Sequence, residues 1–268
     1  MPERERYDLG TPFLRLEREG HLAWCTIDRP GSRNALSGAM YFGLKRAVQL
    51  VNAMEEPTAL LVTGVGDVFA PGGELRGRVE DANPVVEQLG VGDVLPFEAL
   101  RQSVAPVVSA VNGICQGGGL LVAMLSDVAV ASERASFRAP ELLRGIADTG
   151  YAAYLPAHVG VAHARDLLLT GRTLDAGEAL RMGLVSRVVP HERLREEAVA
   201  AAESILRTAP EARLHVKRIL HERYGQVDRM TMDWALFRGA EAREGMRAFA
   251  EKRPPSWVPE ALRRGTRA

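Results

Sequence analysis

Two glycine-containing stretches hold the residues best suited to chemistry. The first is Phe69-Ala70-Pro71-Gly72-Gly73-Glu74-Leu75; the second is Asn112-Gly113-Ile114-Cys115-Gln116-Gly117-Gly118-Gly119-Leu120. Glycine lets a backbone approach a ligand closely and leaves its N–H unencumbered. The second stretch opens an apolar run with helical character, and a helix N-terminus offers free N–H donors and a partial positive charge. Two such loops brought together would form an oxyanion hole, in which fixed donors meet the negative charge that develops on a carbonyl oxygen. Taken singly, each also reads as an ordinary turn of an α/β protein. Neither has the GxGxxG or GxxxxGKS/T spacing of dinucleotide and phosphate cradles.

Two carboxylates accompany the loops. Glu141, in Phe137-Arg138-Ala139-Pro140-Glu141, reads either as a proton carrier or as an acid that the dipole favours at a helix start. Asp148, in Gly145-Ile146-Ala147-Asp148-Thr149-Gly150, reads either as a turn or cap aspartate or as a second acid–base group. Cys115 reads as a small buried thiol. The six histidines, His21, His158, His163, His191, His215 and His221, fall on no motif, so no Ser/His/Asp triad is expected. The two cysteines, Cys25 and Cys115, form no CxxC or Cys/His cluster, so no metal site is expected either.

The elements that must position these groups alternate between strand and helix. Phe13 to Asp28 reads as a β-hairpin with its turn at Glu19-Gly20. Ser37 is the expected N-cap of a helix to about Met54, with Leu44, Val48 and Val51 at helical spacing. Leu60–Val65, Pro106–Val111 and Val128–Ala131 read as short strands, Pro96–Ser103 as a short helix, and Leu120–Leu125 as an apolar one. Gly64–Gly77 reads as loop, and Asp81–Gly92 shows no clear period. After Pro190 the pattern turns wholly helical, with His191–Arg207, Glu211–Tyr224 and Asp228–Ala250 as three expected helices. The alternation before Pro190 argues for βαβ units.

The bulk properties narrow the function. The 268 residues carry 34 basic and 34 acidic side chains, so the net charge is zero and no basic stripe for nucleic acid stands out. The charged N-terminal segment does not read as a signal peptide, and no apolar run approaches the roughly 18 residues that span a membrane. With cysteines that read as reduced, a cytoplasmic protein is expected.

Taken in order, five motifs resemble those of the crotonase (enoyl-CoA hydratase/isomerase) superfamily. Ile27-Asp28-Arg29-Pro30 with Asn34-Ala35-Leu36 is similar to its "RP…NAL" motif. Leu61-Val62-Thr63-Gly64 with Phe69 to Leu75 resembles "LTG…FSAGADL", and Pro106 to Gly119 resembles "PVIAAVNGxAxGGG". Leu168-Leu169-Thr170-Gly171 with Ala176, Ala179 and Gly183-Leu184-Val185 resembles "LTG…A.EA…GLV". Glu244-Gly245-Met246-Arg247-Ala248-Phe249 with Glu251-Lys252-Arg253 resembles the "EG..AF.EKR" ending.

The resemblance implies a crotonase-type α/β fold, a spiral of ββα units with two near-perpendicular sheets. The acyl-CoA site would lie in residues 1–190, and the helical part, residues 191–268, would serve trimerisation. It implies an enzyme acting on an acyl-CoA thioester, a lyase or isomerase of fatty or related acyl chains. A homotrimer or a dimer of trimers would be expected. No cofactor is implied, since coenzyme A is part of the substrate. The oxyanion hole would be the N–H groups of Gly73 and Gly118. The backbone around Arg29 and Arg33 to Ala35 would hold adenine and pantetheine. Lys252 would reach the CoA phosphates, or else is a solvated helix end. Glu74 reads as loop support, and Leu121, Ile114, Tyr151 and Tyr154 as candidate walls of the acyl pocket. Hydratases of this family use two glutamates; here the first position is Leu121 and only the second, Glu141, is retained. One carboxylate suits double-bond isomerisation better than hydration. Hydrolysis or carbon–carbon cleavage using Asp148, and a non-catalytic acyl-CoA-binding protein, stay open at this point.

Overall fold

The computed structural model describes residues 5–74, 82–223 and 239–258. The chain begins with β1 (Glu5–Tyr7), β2 (Leu14–Glu19) and β3 (Leu22–Ile27). β2 and β3 are the expected hairpin, paired antiparallel from Leu14↔Ile27 to Glu19↔Leu22. Leu14 and Leu16 point into the core while Arg15 faces solvent, the period of a half-buried strand. α1 (Gly38–Asn52) starts where its cap places it: Ser37 Oγ accepts the Met40 N–H at 3.1 Å. Leu44, Val48 and Val51 form part of its buried face.

Three strand pairs then repeat one pattern. β4 (Ala59–Gly64) leads to β5 (Val68–Ala70), β6 (Val107–Val111) to β7 (Ile114–Gln116), and β8 (Val128–Ser132) to β9 (Ser136–Arg138). In each pair the first strand joins a large sheet and the second a small one. Helical segments follow: short turns between Pro84 and Arg101, then α2 (Gly118–Met124), then α3 (Thr149–Thr170). β10 (Thr173–Asp175), α4 (Ala176–Met182) and β11 (Arg187–Val189) close the series. The large sheet runs β1-β2-β3-β4-β6-β8-β11 and the small one β10-β9-β7-β5. From β3 onward the large sheet is parallel, as are β5, β7 and β9. The strand pairs, each shared between the two sheets and followed by a helical segment, form the expected spiral of ββα units.

Alternation along β4 divides the core. Leu60 and Val62 pack with α1 and the small sheet, while Leu61, with Val108 and Val130, packs on the other face against α5 (Leu194–Leu206) through Leu194, Ala198 and Ala202. α6 (Pro210–Arg223) and α7 (Ala240–Ala250) follow, and among the described residues no strand comes after Val189. Residues 224–238, which include the end of the second expected helix and the start of the third, lie outside the described residues.

Three readings need correction. β5 lies inside the Gly64–Gly77 stretch that reads as loop, because its partner β7 is remote in sequence. Asp81–Gly92 contains a helical turn, Pro84–Gln88, capped by Asn83 Oδ1 on the Val85 N–H at 3.0 Å. α3, interrupted at Gly160 (φ 76°, ψ 159°), was not anticipated.

Candidate active site

The small sheet builds the site. β5, β7 and β9 are adjacent and parallel, and the segments singled out for chemistry follow their C-terminal ends: Pro71–Glu74, Gly117–Gly119 and Pro140–Glu141. Strand C-termini in a parallel α/β sheet point their following loops to one side, where ligands bind.

The two glycine loops touch. Gly72 has φ 103° and Gly117 φ 53°, and a methyl group on Gly117 would lie 3.0 Å from Gly72 Cα. Only glycine accepts both that conformation and that approach. Leu36 bridges to the first loop, its N–H donating to Gly72 O at 2.9 Å and its carbonyl accepting from the Glu74 N–H at 2.8 Å. The Gly73 N–H between them has no partner among the described residues, and neither has that of Gly118, the first residue of α2. Tyr151, fully buried, donates from Oη to Gly117 O at 2.5 Å and fixes the second loop from behind.

Glu141 opens a 3-10 turn, Glu141–Arg144, directly after Pro140. A methyl group on Gly117 would lie 3.1 Å from its Oε1, and its buried Oε2 has no hydrogen-bond partner among the described residues. Burial, then the charge of Asp148, pushes the Glu141 carboxyl up to about 8; its own backbone N–H, Arg144 and Arg138 oppose the rise. Asp148 is the N-cap of α3, with Oδ1 accepting the N–H groups of Gly150 at 2.8 Å and Tyr151 at 3.3 Å. Burial also raises its carboxyl, and those two N–H donors hold the rise back.

These groups face one cavity of about 890 Å³, whose wall includes Gly73, Gly118, Glu141, Asp148 and Leu121. Leu121 is 2% exposed and presents only methyl groups. Arg33, Ala35 and Ile114 also line the cavity, as do Met246 and Phe249 of α7. Arg144 stacks over the Phe249 ring at 5.0 Å and ties α7 to the turn that carries Glu141.

Other expected contacts are not in that wall. Arg29 is 2% exposed and turned inward: Nη1 donates to Ala35 O at 2.9 Å, lies 3.4 Å from Glu74 Oε2, and the guanidinium stacks over Phe13. It braces the loop from within, with Glu74 as its carboxylate partner. Tyr151 and Tyr154 belong to the core behind the cavity. Lys252 is exposed just past the end of α7 (φ 54°), away from the cavity wall.

Several motif residues are scaffold. Asn34 Nδ2 donates to Val68 O at 2.7 Å and Val65 O at 3.1 Å, and Asn112 Nδ2 to Gly66 O at 2.8 Å. Together they fold the β4–β5 turn. Glu244 pairs with Arg253 at 2.8 Å and accepts the Ser256 N–H at 2.9 Å, closing the segment after α7.

Tyr41 was missed from the sequence. It lies in the cavity wall, and a methyl group on Gly118 would lie 2.0 Å from its Oη. The one available signal was a polar-tipped aromatic three residues before Leu44 on the inward stripe of α1.

Among the described residues no cluster of His, Cys, Asp or Glu is arranged to hold a metal ion, and no helix is long and apolar enough to cross a membrane.

Residues 17–260 match the family model described as enoyl-CoA hydratase/isomerase. A probable enoyl-CoA hydratase of Rhizobium meliloti is 36% identical over 248 residues, 90% of this chain and 95% of that protein. The crystal structure of an enoyl-CoA hydratase/isomerase from Pseudoalteromonas atlantica superposes with a TM-score of 0.79 at 32% identity, covering 92% of this chain and all of that one (100%). A monofunctional enoyl CoA isomerase from M. smegmatis superposes with a TM-score of 0.66 at 30% identity, covering 80% of this chain and 94% of that one.

Proposed function

The chain belongs to the enoyl-CoA hydratase/isomerase family, and from that premise we propose that it shifts the double bond of an acyl-CoA from the 3- to the 2-position, with Glu141 as its single proton carrier. The observation that carries this reading is the pairing of half-buried Glu141, whose buried Oε2 has no partner among the described residues, with the apolar Leu121 in the same cavity wall.

The thioester oxygen would sit between the N–H groups of Gly73 and Gly118. Each such donor is worth roughly 3–4 kcal/mol of transition-state stabilisation. The Glu141 carboxylate takes a proton from C2, and the electron pair delocalises over a dienolate whose charge rests on that oxygen. The same carboxyl returns the proton to C4 as the double bond forms between C2 and C3. Nothing is consumed and no second acid–base group is needed. General base help of this kind is worth roughly 10²–10⁴-fold. A carboxyl raised to about 8 is, once ionised, a stronger base towards the C2 proton than an ordinary carboxylate. Similarity both to a protein described as an isomerase and to one described as a probable hydratase supports this range of chemistry.

A second reading, hydrolysis or carbon–carbon cleavage with Asp148, is supported by the place of Asp148 in the same wall. Its Oδ1 is committed to two backbone N–H groups, which favours a capping role.

Arg33 and Ala35 at the cavity suit contacts with the CoA moiety. A homotrimer or dimer of trimers fits the exposed Val216, Ile219 and Leu220 on α6, and sedimentation velocity tests it. The free, buried thiols of Cys25 and Cys115 fit a cytoplasmic protein. The activity is tested by mass spectrometry of 3-enoyl-, 2-enoyl- and 3-hydroxyacyl-CoA thioesters incubated with the protein. Conversion of 3-enoyl to 2-enoyl thioester is the expected result, and none of it would overturn the proposal.

A further inference from the structure

We propose that the Tyr41 hydroxyl is a third hydrogen-bond donor to the thioester oxygen, beside the N–H groups of Gly73 and Gly118, and so a catalytic residue. The inference rests on the oxyanion hole proposed above.

Its basis is a convergence on one atom. A methyl group on Gly118 would lie 2.0 Å from Tyr41 Oη, and one on Gly73 would lie 3.5 Å from it. The hydroxyl therefore stands close to both donor residues, and all three line the cavity. Among the described residues no hydrogen bond joins either glycine N–H to Oη, so the hydroxyl lies beside the donors and does not occupy their place. Oη also has no hydrogen-bond partner of its own among the described residues. Tyr151 is the contrast: a structural tyrosine in the same site, its Oη spent on the Gly117 carbonyl at 2.5 Å. A hydroxyl beside two N–H groups that have no partner among the described residues is complete only when a ligand oxygen arrives.

The ring is held to do this. α1 is capped by Ser37, and the ring packs edge-on against Phe97 with centroids 6.1 Å apart. Burial first, then the charges of Glu141 and Asp148, raise the phenol well above its ordinary value, so it stays a donor throughout the working pH range. The same cavity wall carries Leu121, which donates nothing. A third donor would strengthen enolate stabilisation in a site that works with one carboxylate.

The test is the infrared band of the thioester carbonyl in crotonyl-CoA labelled with ¹³C at that carbon. It is recorded bound to the Glu141→Gln protein, where proton transfer is blocked, and to the Glu141→Gln/Tyr41→Phe protein. A third donor predicts a band moved to lower wavenumber in the first and moved back part of the way in the second. In the otherwise native enzyme, Tyr41→Phe should lower kcat on the order of 10²-fold, the scale of losing one oxyanion donor, with little change in KM. Placing 3-fluorotyrosine at position 41, a stronger donor of nearly the same shape, should move the band further than tyrosine does. A displaced band indifferent to both changes overturns the third donor and leaves the two-glycine hole standing. A band not displaced even in the Glu141→Gln protein overturns the hole and the third donor together.

Discussion

Glu141 and Gly117 meet so closely that a methyl group on the glycine would lie 3.1 Å from the carboxyl Oε1. The same glycine has φ 53° and approaches Gly72 across the two loops, so one residue sets both the hole and the distance to the carboxylate. Gly117→Ala should therefore cost more activity than stability. Backbone strain of this kind costs about 1–3 kcal/mol, and displacement of the catalytic groups should lower kcat by at least about 10²-fold. Steady-state kinetics beside a urea melt checks this. Near-native turnover would contradict the arrangement.

Asp148 acts on Glu141 through charge. Asp148→Asn keeps an oxygen to cap α3 but removes a negative charge that raises the Glu141 carboxyl. The pH midpoint of kcat/KM should move below the value of about 8 expected for the native enzyme, and turnover near pH 7 should hold or rise. A pH–rate profile reads this directly. Loss of turnover at every pH would instead favour chemistry at Asp148.

The raised carboxyl also affects stability. Glu141 holds a proton up to about 8 when folded, against an ordinary value of 4.5. Between these values the folded state binds more protons than the unfolded one, so stability falls as pH rises. The contribution is complete below about 4.5 and gone above about 8. Asp148, also raised, acts with the same sign. Glu141→Gln should flatten this decline and be the more stable protein at pH 9, by on the order of a few kcal/mol. Denaturant melts at pH 5 and pH 9 test it; parallel declines in the two proteins would contradict it.

Leu121 presents methyl groups to the cavity, at the position where the resemblance implies a second glutamate in hydratases. Leu121→Glu should raise hydration of a 2-enoyl-CoA relative to isomerisation. Burying an ionisable group there should lower stability by a few kcal/mol. Product ratios by mass spectrometry check the first and thermal melts the second. An unchanged ratio in a folded variant would show that Leu121 does not set the reaction.

What the sequence revealed followed the range of its signals. The β2–β3 hairpin, the Ser37 cap and the glycine loops were legible because turns, caps and positive φ are local demands. β5 and β7, three residues each, are too short for a period and form only through pairing with strands remote in sequence, β5 with β7 and β7 also with β9. α3 went unread because Pro156 and Gly160 interrupt its pattern. The inward turn of the Arg29 guanidinium, to Ala35 O and to Glu74 forty-five residues on, was not legible, because only the tertiary fold brings Glu74 within reach. Tyr41 was invisible for the same reason: its significance lies in the distance of Oη from two glycines on other elements. Glu141 was legible as a candidate through its motif, but its buried, unpartnered Oε2 was not.

The most direct test of the account is turnover of a 3-enoyl-CoA by the native enzyme and by Glu141→Gln, followed by mass spectrometry with exchange of the C2 proton monitored in deuterated water. The account predicts formation of the 2-enoyl thioester by the native enzyme. In the variant it predicts loss of isomerisation and C2 exchange by roughly 10²–10⁴-fold, with thioester binding retained. Isomerisation that survives Glu141→Gln undiminished would contradict the single-carboxylate mechanism.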